Sequence, residues 1–435
     1  DGEIPILVYN PHPYPIQEVI ECEFILQNQN WDANTQTLAR VFQNGNEIPS
    51  QMTKEDSSIP LDWRKKVAFS AELSPFSITR FDCQLQTVAK TADACLEDFR
   101  FDNGEISCVI NPKTGLMDQF CLNGVRMASD GFGQICVFDD DEDPWHMRSD
   151  RIDQYLYPLT RSEEIPVRIV EDGPVRMIVE TVFAVSGVSA LVRYHLPKKG
   201  REIKLEITLT NTLPDKMFKI KLPFSDPEAV CVGETMFSVE PEFHDGREVV
   251  SHKFDRVSME RGNVGIINDG VYGGSFLQGT LYKNLLRSPA FCAHPIENRS
   301  ILSEKQWIPR MGIGRYHYSF LICPEKPGEP LYKLAQRAQA FNEKPEAVSC
   351  FPAGYRRAPF VRPVLSGQVL LSAFKKSEDG HGWILRIYEP EGNAAEFSVQ
   401  IGSDEVAGCL SPFEVRTYRY DQHSFEECNL LEQPL

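Results

Sequence analysis

A period of two governs this chain wherever it is regular. In Glu202-Ile203-Lys204-Leu205-Glu206-Ile207-Thr208-Leu209 every second residue is apolar. Four side chains share a face that can be buried and four a face that stays wet, the pattern of a half-buried antiparallel strand. Val67, Phe69, Ala71 and Leu73 repeat it, as do Phe397, Val399 and Ile401 against Glu396, Ser398 and Gln400. Between such runs stand Asn44-Gly45, Asn103-Gly104, Asn123-Gly124, Asp172-Gly173 and Asp269-Gly270, dipeptides that favour tight hairpins. One helical stripe interrupts the pattern: Pro330 suits a first helical position, and Leu331, Leu334, Ala335, Ala338 and Phe341 then recur at helical spacing. Regular alternation of strand and helix is absent, which excludes a doubly wound sheet and a complete (β/α)₈ barrel and leaves sandwiches.

Irregular stretches divide the chain. Alternation lapses around 86–98, and Pro345, Pro352, Gly354, Pro359 and Pro363 mark a linker around 343–362. The expectation is a small β-sandwich over 1–95, a large central β supersandwich over 96–345 that includes a short helix near 330–341, and a small β-sandwich over 356–435. The length of 435 residues accommodates three such domains.

Charge narrows the partners. With 45 Lys+Arg against 62 Asp+Glu the formal charge is −17, and no basic run offers the counterion-releasing surface that nucleic acid requires. No apolar stretch approaches the ~20 residues of a membrane span. The 12 cysteines are scattered without C-x₂-C spacing, and no His-x₃-His pair occurs, so no zinc site is expected in this chain. Reduced thiols at apolar strand positions, as in Ile20-Glu21-Cys22-Glu23-Phe24, lead to the expectation of a cytoplasmic protein more than a secreted one; the single sequon Asn298-Arg299-Ser300 points the other way. The chain opens at Asp1 without Met and runs at once into the strand-like Ile4-Pro5-Ile6-Leu7-Val8-Tyr9, from which a start within a longer polypeptide is expected.

Two constellations could carry chemistry. Asp139-Asp140-Asp141-Glu142-Asp143 leads into Pro144-Trp145-His146. There Trp145 can stack on a sugar ring while Asp143 accepts hydroxyl hydrogen bonds; the alternatives are Ca²⁺ ligation and a solvated acidic loop. Adjacent strand carboxylates point to opposite faces, so the cluster alone makes no retaining-glycosidase pair. In the second, Asn268-Asp269-Gly270-Val271-Tyr272-Gly273-Gly274 is followed by Leu285-Leu286-Arg287-Ser288-Pro289. Gly270 permits a sharp turn, Tyr272 offers a face and a hydroxyl, and Arg287 can hold a carboxylate bidentately; the structural reading is a hairpin with a buried salt bridge. Gly312 to Tyr318 reads mainly as a strand edge, and His244, His252 and His317 read as structural or exposed. Nucleophile-elbow and phosphate-loop motifs are absent.

At these segments the chain resembles the C-terminal half of glycoside hydrolase family 38, the α-mannosidases. Ile6-Leu7-Val8-Tyr9-Asn10-Pro11 is similar to the family's exit from its helical bundle. Phe101-Asp102-Asn103-Gly104-Glu105-Ile106 with Asn111-Pro112-Lys113-Thr114-Gly115-Leu116 is similar to the entry into its central β domain. Ile267 to Gly273 with Leu285 to Pro289 is the most specific match, and Val369 to Lys375 with Ile384 to Glu389 resembles its last sandwich. The resemblance implies a galactose-mutarotase-like central domain whose loops help close a sugar pocket. Asp143, Trp145, Asn268, Asp269, Gly270, Tyr272 and Arg287 are its substrate-facing candidates. It implies that zinc, its ligands and the catalytic carboxylates belong to an N-terminal catalytic domain, so no catalytic or metal residue is assigned here. The expected function is the non-zinc portion of a retaining α-mannosidase, acting on an α-mannoside or related glycan with that N-terminal domain as partner; a homo-oligomeric assembly is left open. The alternatives are a free-standing carbohydrate-binding protein and, more remotely, a mutarotase-type epimerase using His244 or His317 with a Glu.

Overall fold

The alternation is realised as strands throughout. A computed structural model describes residues 3–57, 59, 61–90, 97–140, 150–290, 309–351 and 361–435. Within it the chain separates into two compact units, one of 1–94, 173–175 and 331–435, the other of 95–172 and 176–330.

The first unit holds two sandwiches. In one, a five-stranded sheet ordered Glu346–Ser349, Glu3–Tyr9, Ile78–Ala89, Thr35–Gln43, Asn46–Ile48 packs on a three-stranded sheet of Ile16–Asn30, Asp62–Leu73 and Ser50–Thr53. Their inward residues, Ile6, Val8, Val41 and Phe81 from one and Ile20, Phe24, Val67 and Phe69 from the other, form one core. Phe69 and Phe81 meet at 4.8 Å between ring centroids, a tilted aromatic contact that adds to burial. In the other sandwich a sheet of Pro363–Gly367, Ala395–Ile401 and Asp404–Leu410 shares its core with one of Leu370–Lys376, Trp383–Tyr388, Val415–Asp421 and Ser424–Cys428.

The helix, Leu331–Asn342, buries Leu334, Ala335, Ala338, Ala340 and Phe341. It was expected in the central domain, but it belongs to the first unit together with strand Glu346–Ser349. The reason is specific polar contact. Tyr14 Oη donates to Gln336 O and bonds Gln339 Oε1, both at 3.0 Å, while His12 Nε2 lies 2.8 Å from Glu343 O. The helix and both small sandwiches thus fall in one compact unit, and the large sandwich in the other.

The second unit sets a nine-stranded sheet against a six-stranded one, with a four-stranded sheet beside them. The nine-stranded sheet runs Arg168–Asp172, Arg176–Val185, Val188–Pro197, Ile203–Asn211, Gly314–Glu325, Gly262–Asn268, Phe254–Met259, Val230–Thr235, Ser238–Pro241. The six-stranded sheet runs Tyr155–Pro158, Gln134–Asp139, Lys216–Pro223, Thr280–Arg287, Gly273–Leu277, Val249–Val250. Val192, Ile207, Val264 and Phe320 of the first share a core with Val137, Phe218, Ile220 and Leu281 of the second. Ile203–Asn211 is buried at every second position, as its alternation requires.

Asn44-Gly45 and Asn123-Gly124 take positive φ at both residues and close tight hairpins. Asp269-Gly270 does not: it carries the chain from the nine-stranded sheet to the six-stranded one. A two-residue hairpin needs its flanking strands to pair with each other, and these two pair elsewhere. Among the described residues the cysteines are free thiols, and no helix is long and apolar enough to cross a membrane.

Candidate functional site

The crossing from Asn268 to Gly273 is organised from inside. Asn268 is fully buried. Its Oδ1 accepts from the amides of Gly270 at 3.0 Å and Val271 at 2.8 Å, while its Nδ2 donates to His252 O at 2.8 Å. An Asn at a strand end can satisfy a turn in this way where the backbone ladder stops. Asn268 is thus the loop's internal brace. Gly270 has φ of 126° with open space around it, and Gly273 lets the chain pass close to Thr280–Arg287, since a Cβ there would sit 2.8 Å from Asn284 Nδ2.

What the loop presents outward is different chemistry. Asp269 is exposed and takes the Ser319 amide on Oδ1 at 3.0 Å, leaving Oδ2 without a protein partner among the described residues. Tyr272 is 46% exposed, with its ring 5.6 Å from that of His252. Ser319 is reachable because Gly262–Asn268 ends opposite Phe320, so the preceding part of Gly314–Glu325 pairs only with Ile203–Asn211; the strand-edge reading of 312–318 describes this segment. Burial first, then Tyr316 and Asp269, pushes the Tyr318 phenol up, so it stays a neutral hydrogen-bond group beside the loop. An aromatic face, two hydroxyls, an imidazole and a half-engaged carboxylate are what a neutral sugar can use.

Arg287 stands three residues beyond Asn284 on the same strand. Its Nε and Nη2 donate to Asp140 Oδ2 and Oδ1 at 2.8 and 2.7 Å, with the Asp140 side chain 2% exposed. The guanidinium fork that could hold a ligand carboxylate holds one of the protein's own, the buried salt bridge of the structural reading. Lys216 pairs with Asp139 at 2.8 Å and Arg310 with Asp215 at 2.8 Å. The first two members of the acidic cluster are thus tied down by cations on the neighbouring strand Lys216–Pro223 and on Thr280–Arg287. Asp143 and Trp145 lie outside the described residues.

Two groups of functional interest were not expected. Lys219, with a side chain 2% exposed, pairs with Glu248 and donates to Ile152 O at 3.0 Å, while Asn284 Nδ2 donates to Glu248 Oε2 at 2.7 Å. Burial lowers the Lys219 pKa against the pull of Glu248. Lys219 alternates with Phe218 and Ile220 as a solvent-facing residue would, so local spacing conceals it. The other group, Lys283 with Asp255 and Glu242, lies inside the sandwich. Its signal is visible: Lys283 falls in phase with Leu281 and Leu285, on the apolar face of its strand. His317 bonds Thr208 and His244 packs on Phe276, neither forming an acid–base pair among the described residues. Among the described residues no three His, Cys, Asp or Glu side chains converge as metal ligands.

Two family models match the sequence. The glycosyl hydrolases family 38 C-terminal domain matches residues 101–293, and the family 38 C-terminal beta sandwich domain matches residues 368–435. A curated relative, alpha-mannosidase G of Dictyostelium discoideum, is 21% identical over 466 residues, covering 95% of this chain and 40% of its own length. A glycosyl hydrolase family 38 protein from Enterococcus faecalis superposes with a TM-score of 0.76 at 15% identity, covering 97% of this chain and 58% of that one. An alpha-mannosidase from Enterococcus faecalis V583 does so with a TM-score of 0.71 at 15% identity, covering 97% and 56%. The chain thus spans less than two thirds of each of these proteins.

Proposed function

This chain belongs to glycoside hydrolase family 38, whose C-terminal β domains it carries, and on that premise we propose that it is the β portion of a retaining α-mannosidase. In this reading the loop 268–273 forms part of the sugar-facing wall. Tyr272 supplies a ring face and hydroxyl, Asp269 accepts hydroxyl hydrogen bonds through Oδ2, and Asn268 and Gly270 hold the loop in shape. Arg287 acts indirectly, by fixing Asp140 at the root of the segment that contains Asp143 and Trp145. Zinc and the catalytic carboxylates are assigned to a partner domain of a longer polypeptide, as the family resemblance implies. The observation that carries the reading is the ordered match of two family 38 models along one chain, with the curated alpha-mannosidase aligned over 95% of it.

The test uses the longer enzyme containing this chain, assayed on α-mannosides with the product anomer followed by NMR. Tyr272→Ala and Asp269→Asn are each expected to lower kcat/KM by ~10-fold, the effect of losing one contact of about 1.4 kcal/mol, with retention of configuration. Unchanged kinetics in both variants removes the loop from the sugar site, and inversion removes the retaining mechanism. The chain alone is expected not to hydrolyse mannosides. Hydrolysis by it would overturn the division of labour, whereas mannoside binding abolished by Tyr272→Ala, with no hydrolysis by any longer form, would favour a carbohydrate-binding protein.

A further inference from the structure

Charge is buried where the two large sheets face each other. Lys283 Nζ, from Thr280–Arg287, lies 2.8 Å from Asp255 Oδ2, from Phe254–Met259, and both side chains have zero exposure. Nζ also donates to Ser251 Oγ at 2.8 Å. A second carboxyl, Glu242, is 7% exposed and meets Asp255; a Cβ placed on Gly233 would sit 3.1 Å from Glu242 Oε1 and 3.4 Å from Asp255 Oδ1. None of the four carboxyl oxygens receives a well-directed hydrogen bond from the described residues, the weak donor Cys231 Sγ being the other group that reaches Glu242. Two carboxylates and one ammonium would leave net negative charge and unsatisfied acceptors in a dry interior, both costly. A single added proton neutralises the cluster and converts two opposed acceptors into a donor and an acceptor.

We propose that Glu242 is protonated at neutral pH and donates to Asp255, so that Glu242, Asp255 and Lys283 form a neutral triad bridging the two sheets, and that its ionisation in alkali loosens the loop 268–273. Burial first and Asp255 second push the Glu242 carboxyl up to about 8, with Lys283 opposing. Among the described residues the other titratable group acting on it is the Cys231 thiol, raised by burial and then by Glu242; on the elements packed beside it stand the Glu234–Lys253 ion pair at 2.9 Å and His244, whose ring packs on Phe276. The path to the loop is short. Ser251, bonded to Lys283 through its hydroxyl, donates its amide to Tyr272 O at 2.9 Å, and the next residue, His252, accepts from Asn268.

The folded state holds this proton above the ordinary value of 4.5. The triad's contribution is therefore complete below about 4.5, declines as pH rises, and is gone once pH passes about 8. The experiment compares the protein with Glu242→Gln, which keeps a neutral hydrogen-bonding group, by urea unfolding from about pH 5 to about pH 9.5. Relative to the variant, the protein is expected to lose ~10-fold in folding equilibrium constant per pH unit up to about 8 and then to level off. Glu325, pushed up to about 7 by burial against the opposing Arg256, contributes equally to both, so only the difference is read. Hydrogen exchange at Val271 and Tyr272, corrected for intrinsic base catalysis, is expected to rise above about pH 8 in the protein and not in Glu242→Gln. Should that variant fail to fold, isotope-edited infrared spectroscopy of Glu325→Gln, which removes the other raised glutamic acid, decides: a protonated glutamic acid band present at neutral pH and lost by about pH 9.5 supports the triad. Parallel pH profiles, or no such band at neutral pH, would overturn it.

Discussion

At the scale of single residues, side chains of one type have different fates according to partners far away in sequence. Asn268 lies at the end of a strand and turns its amide inward to brace its own loop, and the Gly270 beside it made a turn legible from the sequence. Arg287 offers no such clue. Its role is set by Asp140, 147 positions away, and no local spacing relates the two. Because the Asp140 side chain is buried, Arg287→Ala is expected to destabilise the protein by about 3 kcal/mol through loss of this bidentate ion pair. Arg287→Lys should restore only part, because an ammonium cannot match both oxygens. Urea unfolding at neutral pH reads both values. Equal stability of Arg287→Ala and the unmodified protein would show that the pair contributes nothing. Lys283 is the instructive intermediate: its phase with Leu281 and Leu285 marks it as inward-facing, whereas its partners Asp255 and Glu242 emerge only when two sheets are packed.

At the scale of elements, strands and turns followed from periodicity and backbone preference, while the destination of each element did not. Asn123-Gly124 and Asp269-Gly270 look alike in sequence, yet one closes a hairpin and the other crosses between sheets. Glycines separate similarly. Gly124 has φ of 79° and open space, whereas at Gly312, with φ of 65°, a Cβ would lie 2.1 Å from Arg287 O. Gly124→Ala is expected to cost about 1 kcal/mol of backbone strain, and Gly312→Ala at least about 3 kcal/mol because backbone must move; similar losses would refute the steric distinction. The helix shows the same division. Its stripe was legible, but the Glu391 carboxylate that accepts from the Tyr332 amide in its first turn comes from a different sandwich. Glu391→Ala should cost about 1 kcal/mol as a lost cap, and Tyr14→Phe about 1–2 kcal/mol for its bonds to Gln336 and Gln339, both measurable by denaturant midpoint.

At the scale of the molecule, the two compact units carry separate apolar cores. Cooperativity depends on shared packing, so unfolding is expected to depart from a single two-state transition. The calorimetric enthalpy should exceed the van 't Hoff enthalpy, and a ratio of one would show that the units unfold together.

By itself the sequence determined what depends on short spacing. The alternation of Ile203–Asn211, the positive-φ turns at Asn44-Gly45 and Asn123-Gly124, and the stripe of Leu331–Asn342 are consequences of strand pleat, glycine freedom and helical pitch, all local. Only the tertiary structure decided which sheet receives the chain after Asn268, which carboxylate occupies Arg287, which unit takes the helix, and that Glu242 and Asp255 confront one buried lysine. Those outcomes depend on contacts between residues tens to hundreds of positions apart. Their free energies come from burial and charge pairing, which exist only after the sheets have met.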